Sequence, residues 1–200
     1  MSRSVRRVPG DQQRGSDVGV VAELWVHPVK SLAGQLRPTV EVGTAGVTGD
    51  RAFVVRDACS GEPVRPRTAP QLAGIAASGN PDTDTATVSE VLGRAVRVVA
   101  AEAPQVDVAA VHLVSRQARE RAAAGEVPDG CSADDPRANL VLDLPDADER
   151  DWVGRRVQVG GCELEVIRLP KHCLGVYAEV RVPGRVSTGD LVRLQDPDRL

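Results

Sequence analysis

Four cysteines, Cys59, Cys131, Cys162 and Cys173, carry the most versatile chemistry in this chain, and their neighbours sort them. They sit far apart with no Cys-x-x-Cys pair, a spacing that suits neither a zinc ribbon, a thioredoxin-type site nor an iron–sulfur cluster. Cys162 opens the alternation Cys162-Glu163-Leu164-Glu165-Val166, shares its apolar face with Leu164 and Val166, and reads as core. Cys59 lies in the turn Ala58-Cys59-Ser60-Gly61 and reads as exposed and incidental. Cys131 stands among Asp129, Asp134 and Asp135, whose charge disfavours a thiolate. Cys173 follows Pro170-Lys171-His172, and positive neighbours favour the thiolate, which is both nucleophile and soft-metal ligand. The plainer alternative is a loop cysteine beside two polar residues.

A second chemistry is anion binding. Of the 25 basic residues, Lys30 and Lys171 alone are lysine and the rest are arginine. A lysine offers a compact point charge where the arginine fork does not fit. Lys30-Ser31 sits in a turn straight after an apolar run, which places an ammonium, a hydroxyl and backbone N–H groups together. Arg51 follows Gly49-Asp50, Arg65 and Arg67 bracket Pro66, and Arg137 and Asn139 open an apolar segment. Guanidinium forks match phosphate and carboxylate groups. Each of these residues taken singly also fits a solvated surface charge.

Those residues need elements to position them. The 200 residues are 42% hydrophobic with a net charge of -3, enough for one domain or two small ones with a real core. That charge argues against a broad nucleic-acid face, and four rings (Trp25, Phe53, Trp152 and Tyr177) are too few for base stacking. No apolar run reaches membrane-spanning length. Residues 1–17 carry four arginines without an apolar stretch, so they read as a solvated, disordered tail rather than a secretory signal. Reduced thiols in a cytoplasmic setting follow as the expectation.

Short β-rich runs dominate. Strands are expected at residues 18–26, 39–42, 51–56, 72–77, 95–100, 106–114, 139–142, 176–182 and 191–194. The clearest hairpin joins 156–159 to 162–167 through Gly160-Gly161. Ser115 is placed to cap a helix over 116–124, and 146–153 has a polar helical look. The polar stretch 78–90 reads as a hairpin tip or exposed loop, and residues 183–190 as turn. The fold class is mainly β with a few short helices (α+β), in a closed or sandwiched arrangement.

Read together, these segments resemble the MOSC family, the molybdenum cofactor sulfurase C-terminal domain, preceded by its N-terminal β-barrel domain. The front of the match is residues 24–31 (LWVHPVKS), with His27 where tyrosine is usual, then 49–57 (GDRAFVVRD) and 67–72 (RTAPQL). The rear is residues 137–142 (RANLVL), 152–160 (WVGRRVQVG), Cys173, 175–180 (GVYAEV) and 184–194 (GRVSTGDLVRL). The resemblance implies a tail over 1–17, a smaller N-terminal β-barrel-like domain over 18–100, and a shortened MOSC β-barrel over 105–200. Two departures stand out. Leu174 alone separates Cys173 from Gly175, where a longer segment is usual, and His172 replaces the common arginine.

The resemblance further implies a molybdenum cofactor of the molybdopterin type, independent of pyridoxal phosphate. Lys30, Ser31, Arg51, Arg67 and Arg137 would hold its anionic groups, with Asn139 and Ser115 as supporting contacts and Cys173 as metal ligand. The activity implied is reduction of N-hydroxylated or related small substrates, with electrons from an external donor protein. Two alternatives stay open: a persulfide sulfur carrier on Cys173, and a cofactor-free β-barrel binding module.

Overall fold

A computed structural model describes residues 15–102, 109–129, 131 and 136–195. In chain order the elements are β1 (Gly15–Val26), β2 (Gln35–Arg37), β3 (Thr39–Gly43), β4 (Gly46–Val47), β5 (Phe53–Asp57), α1 (Pro81–Leu92) and β6 (Val96–Ala100). They continue with β7 (Val111–Ser115), α2 (Arg116–Ala123), β8 (Leu140–Asp143), β9 (Arg156–Val159), β10 (Cys162–Arg168), β11 (Val176–Val182), β12 (Gly184–Ser187) and β13 (Leu191–Gln195).

Seven strands close a barrel in the order β13-β9-β10-β11-β7-β8-β1, with β1 pairing back onto β13. The alternation that marks Cys162, Leu164 and Val166 as inward-facing recurs in Val157 and Val159 of β9 and in Val192 of β13, all fully buried. Trp152 plugs the same core. Closure pairs each of the seven strands with a neighbour on both sides, which removes the open edges of the ring, and β2 extends the sheet from β1 beyond it.

Strand β1 makes the closure possible. One edge pairs with β8 through residues 20–24, while the other pairs first with β13 over residues 15–20 and then with β2 over 24–26. Bulges at Asp17/Gly19 and Val21/Glu23 bend the strand so that it serves the barrel and then leaves it. Residues 15–17, expected in the tail, are therefore paired strand. Residues 1–14 of that tail lie outside the described residues, as do positions 106–108 of the strand expected over 106–114.

Beyond the barrel, β5 and β6 form an antiparallel ribbon that packs with α1 around Val29, Leu32, Val55, Leu72, Val88 and Val98. A three-stranded sheet, β12-β3-β4, joins chain segments from opposite ends of the sequence. The sheets thus run across residue 100: β1 sits in one barrel with strands that follow that position, and the unit packed beside it is a ribbon and helix.

Three segments differ from expectation. Most of the stretch 78–90 lies in helix α1 (Pro81–Leu92), because Asn80 accepts hydrogen bonds from the Asp82 and Thr83 N–H groups, Pro81 starts the first turn, and Gly93 ends the helix in the left-handed region. Residues 72–77, expected as a strand, begin instead within a 3-10 turn at Pro70–Gly74 whose first position is proline. The stretch 183–190 contains β12, which finds its partner 148 residues away, as in Ser187 beside Thr39. The Ser115 cap forms as expected, its hydroxyl accepting from the Ala118 N–H at 3.0 Å. The buried Glu149 carboxylate adds a second acceptor there, taking the Ser115 N–H at 3.0 Å.

Gly19 leaves no room for a side chain, since a Cβ there would overlap the Asp143 carbonyl oxygen across the β1–β8 seam. Gly19→Val is expected to cost about 2–3 kcal/mol, a Tm fall of roughly 5–10 °C. Thermal melting checks this, with Gly74→Ala, which meets nothing within 4 Å, expected to melt like the parent.

Candidate functional site

Where β1 leaves the barrel, the residues His27-Pro28-Val29-Lys30-Ser31 cross to the second core. The crossing is stitched by backbone hydrogen bonds: Arg51 N–H donates to the His27 carbonyl at 2.7 Å, Phe53 N–H to that of Pro28 at 3.0 Å, and Lys30 N–H to that of Phe53 at 2.8 Å. Side chains reinforce it. One Asp50 carboxylate oxygen accepts the His27 N–H at 2.7 Å, and the other pairs with the Arg51 guanidinium. The pair is nearly closed to water, with 6% of the Asp50 side chain and 12% of the Arg51 side chain exposed. The second arm of Arg51 donates to the Arg137 carbonyl at 3.3 Å, bridging 86 positions of sequence.

The backbone here is unusual. Among the described residues, the non-glycine positions with positive φ are Ser31 (79°), Arg51 (50°) and Arg137 (49°). Each departs from the ordinary regions at a cost of roughly 1–2 kcal/mol, which persists only where surrounding contacts over-determine it. All three are residues that the sequence marks as anion ligands.

Lys30, Ser31 and Arg137 line one cavity of about 600 Å³, together with Arg56, Arg65 and Arg67 from β5 and the turn that follows it. Among the described residues that line the cavity, five are cations and one, Glu102, is a carboxylate, in a chain whose net charge is -3. Low-dielectric walls from Val54, Val55 and Val64 strengthen that positive field. The arrangement suits a ligand bearing phosphate or carboxylate groups at one end.

The remaining expected residues fall elsewhere. Arg51 is absent from the cavity wall and acts from behind, holding Arg137 through its carbonyl. Asn139 is buried between strands, its side-chain oxygen accepting the His112 N–H at 3.2 Å and its backbone carbonyl the Trp25 N–H at 2.8 Å. Ser115 is committed to the α2 cap. Cys173 is half-buried in the loop between β10 and β11, outside the cavity lining, with its sulfur 3.8 Å from the Tyr177 hydroxyl. Lys171 and His172 beside it are solvent-exposed. The short link to β11 is rigid: Gly175 has φ 82°, a Cβ there would overlap the Leu113 carbonyl oxygen, and the Leu174 carbonyl lies 2.8 Å from His112 Nε2. Sequence reasoning passed over Arg56 and the structural part of Asp50. The signal for Asp50 was its place between a left-handed glycine and Arg51.

A model of the MOSC N-terminal beta barrel domain matches residues 18–132. The chain belongs to this family. MOSC domains are associated with molybdenum cofactor sulfurase-like proteins. The crystal structure of the YuaD protein from Bacillus subtilis superposes with a TM-score of 0.51 at 15% identity, covering 88% of this chain and 94% of that one. The crystal structure of a hypothetical protein gives 0.48 at 13% identity, with 91% of this chain and 69% of that one covered. The first likeness shows a shared fold. No curated protein matches the chain.

The other cysteines divide by environment. Cys162 is fully buried, and burial, with a smaller contribution from Glu163, pushes its thiol up to about 11. Cys59 is exposed. In native protein at about pH 8, a thiol reagent is expected to modify Cys59 promptly and Cys162 only on unfolding, as peptide mapping of a labelling time course would read. Asp50→Asn, which leaves the nearly buried Arg51 guanidinium without its counter-charge, is expected to cost about 2–4 kcal/mol in urea unfolding.

Proposed function

We propose that this MOSC-family chain binds a molybdopterin-type cofactor, with its phosphate-bearing end in the cavity of Lys30, Ser31, Arg67 and Arg137, and with Cys173 as the thiolate offered to the metal. The observation that carries the reading is the convergence of five cations on one cavity, two of the cavity's residues being locked in the left-handed region. These residues fit the anionic end of such a group. Arg67 and Arg137 would each present a fork to phosphate oxygens, Lys30 a point charge, and Ser31 a hydroxyl. The buried Asp50–Arg51 pair would keep Arg137 in place before the ligand arrives, so little ordering cost remains at binding. When bound, the cofactor supplies two-electron reduction, here directed at N-hydroxylated small molecules with electrons from an external donor protein.

A second reading is favoured by one observation: Cys173 is not part of the cavity wall. On that reading the chain is a binding module for an anionic ligand, and Cys173 has no metal to hold. Among the described residues no three of His, Cys, Asp or Glu converge on a metal-sized site.

Expression in a host that makes the cofactor is expected to yield about one molybdenum and one pterin per chain. Cys173→Ser is expected to change the metal's absorption spectrum while the pterin is retained. Arg67→Ala and Arg137→Ala are each expected to weaken inorganic pyrophosphate binding about tenfold by calorimetry, near 1.4 kcal/mol per lost charged contact. Pyrophosphate binding without pterin or molybdenum in fully supplied cells overturns the cofactor reading and supports the module. Loss of both excludes the cavity as an anion site.

A further inference from the structure

We propose that Cys131 and Cys173 form a peroxide-responsive pair that closes to a reversible intramolecular disulfide. The two residues lie 42 positions apart, yet the Cys131 thiol donates a hydrogen bond to the Cys173 carbonyl at 3.1 Å. That contact limits the separation of their Cα atoms to on the order of 8 Å at most, just beyond the range a disulfide spans. Neither residue belongs to a strand or helix, and both are half-buried, so peroxide can reach them. The Cys173 side is pinned by the Leu174–His112 contact and by Gly175 against Leu113. The Cys131 backbone is held by its own turn bond to the Pro128 carbonyl.

The surroundings suit the exchange. The sequence surrounds Cys131 with carboxylates, but the fold brings the Arg150 guanidinium to 3.8 Å from its sulfur, a charged donor beside the atom that attacks. Tyr177 places a hydroxyl 3.8 Å from the Cys173 sulfur. Cys131 also packs against the small cluster that holds Leu174 and Ala138, which keeps the two loops side by side.

The chemistry balances with hydrogen peroxide as oxidant. The Cys173 thiolate attacks one peroxide oxygen, the O–O bond breaks, and sulfenic acid forms as the second oxygen leaves as hydroxide and takes up a proton to become water. The Cys131 thiolate then attacks the Cys173 sulfur, the S–O bond breaks, and hydroxide leaves to take up the Cys131 proton as a second water. Two thiols lose two electrons in total, and one peroxide becomes two waters. A dithiol reductant reverses the step. The proposal does not rest on the cofactor reading, since a disulfide is detected in the chain alone; closure would withdraw Cys173 from any metal.

The test uses the full chain in a Cys59→Ser background, which removes the exposed competitor. After stoichiometric hydrogen peroxide and alkylation of the remaining thiols, non-reducing peptide mass spectrometry is expected to find Cys131 joined to Cys173. Cys162 is expected to remain alkylatable after denaturation, and dithiothreitol to restore both reactive thiols. In Cys131→Ser the oxidation is expected to stop at a sulfenic acid on Cys173 that dimedone traps. Separate over-oxidation of the two cysteines in the otherwise intact chain, or cross-links only between chains, overturns the proposal.

Discussion

A carboxylate and a guanidinium shut away from water at Asp50 and Arg51 hold the two halves of this molecule in one geometry. Asp50 ties down the backbone where β1 leaves the barrel, and Arg51 reaches across to the carbonyl of Arg137. Removing two charges from solvent is unfavourable by itself, so such a pair endures where each partner has further hydrogen bonds to satisfy it. Here those bonds end on backbone, at the His27 N–H and at the carbonyl of Arg137, which lines the cavity. The left-handed conformations of Arg51 and Arg137 are the local strain that this arrangement sustains.

The cavity then follows from which surfaces the pair brings together. Lys30 and Ser31 come from the strand exit, Arg65 and Arg67 from the turn after β5, and Arg137 from the approach to β8. Each segment alone carries ordinary surface charge. Held on facing walls, their fields add over a region lined in part by valine, and the net negative charge of the whole chain has little bearing on that local potential.

Much of this was legible in the residues, for reasons that differ by element. The β9–β10 hairpin could be read because alternation and Gly160-Gly161 are local signals, and the α2 cap because Ser115 precedes a strong helix former. Helix α1 escaped because it is polar on most sides and Val88 is its one fully buried apolar residue; its capping residues Asn80 and Gly93 were the better guide. Strand β12 escaped because its register with β3 is set by a partner at the far end of the chain. At the site, residue type singled out Lys30, Ser31, Arg67 and Arg137, which line one cavity, whereas the supporting task of Arg51, the strand-bridging task of Asn139 and the meeting of Cys131 with Cys173 arise from tertiary contacts no local pattern encodes.

The pairing of β1 with β13 has a consequence for biogenesis. Gly15 is opposite Gln195, so the first described strand finds this neighbour 180 positions further along the chain. The ring stays open until β13 is made, with a β1 edge exposed on the nascent polypeptide. Contacts of such long sequence separation make for slow folding. Ring closure therefore waits for β13, and the interval before it is when this chain depends most on chaperones.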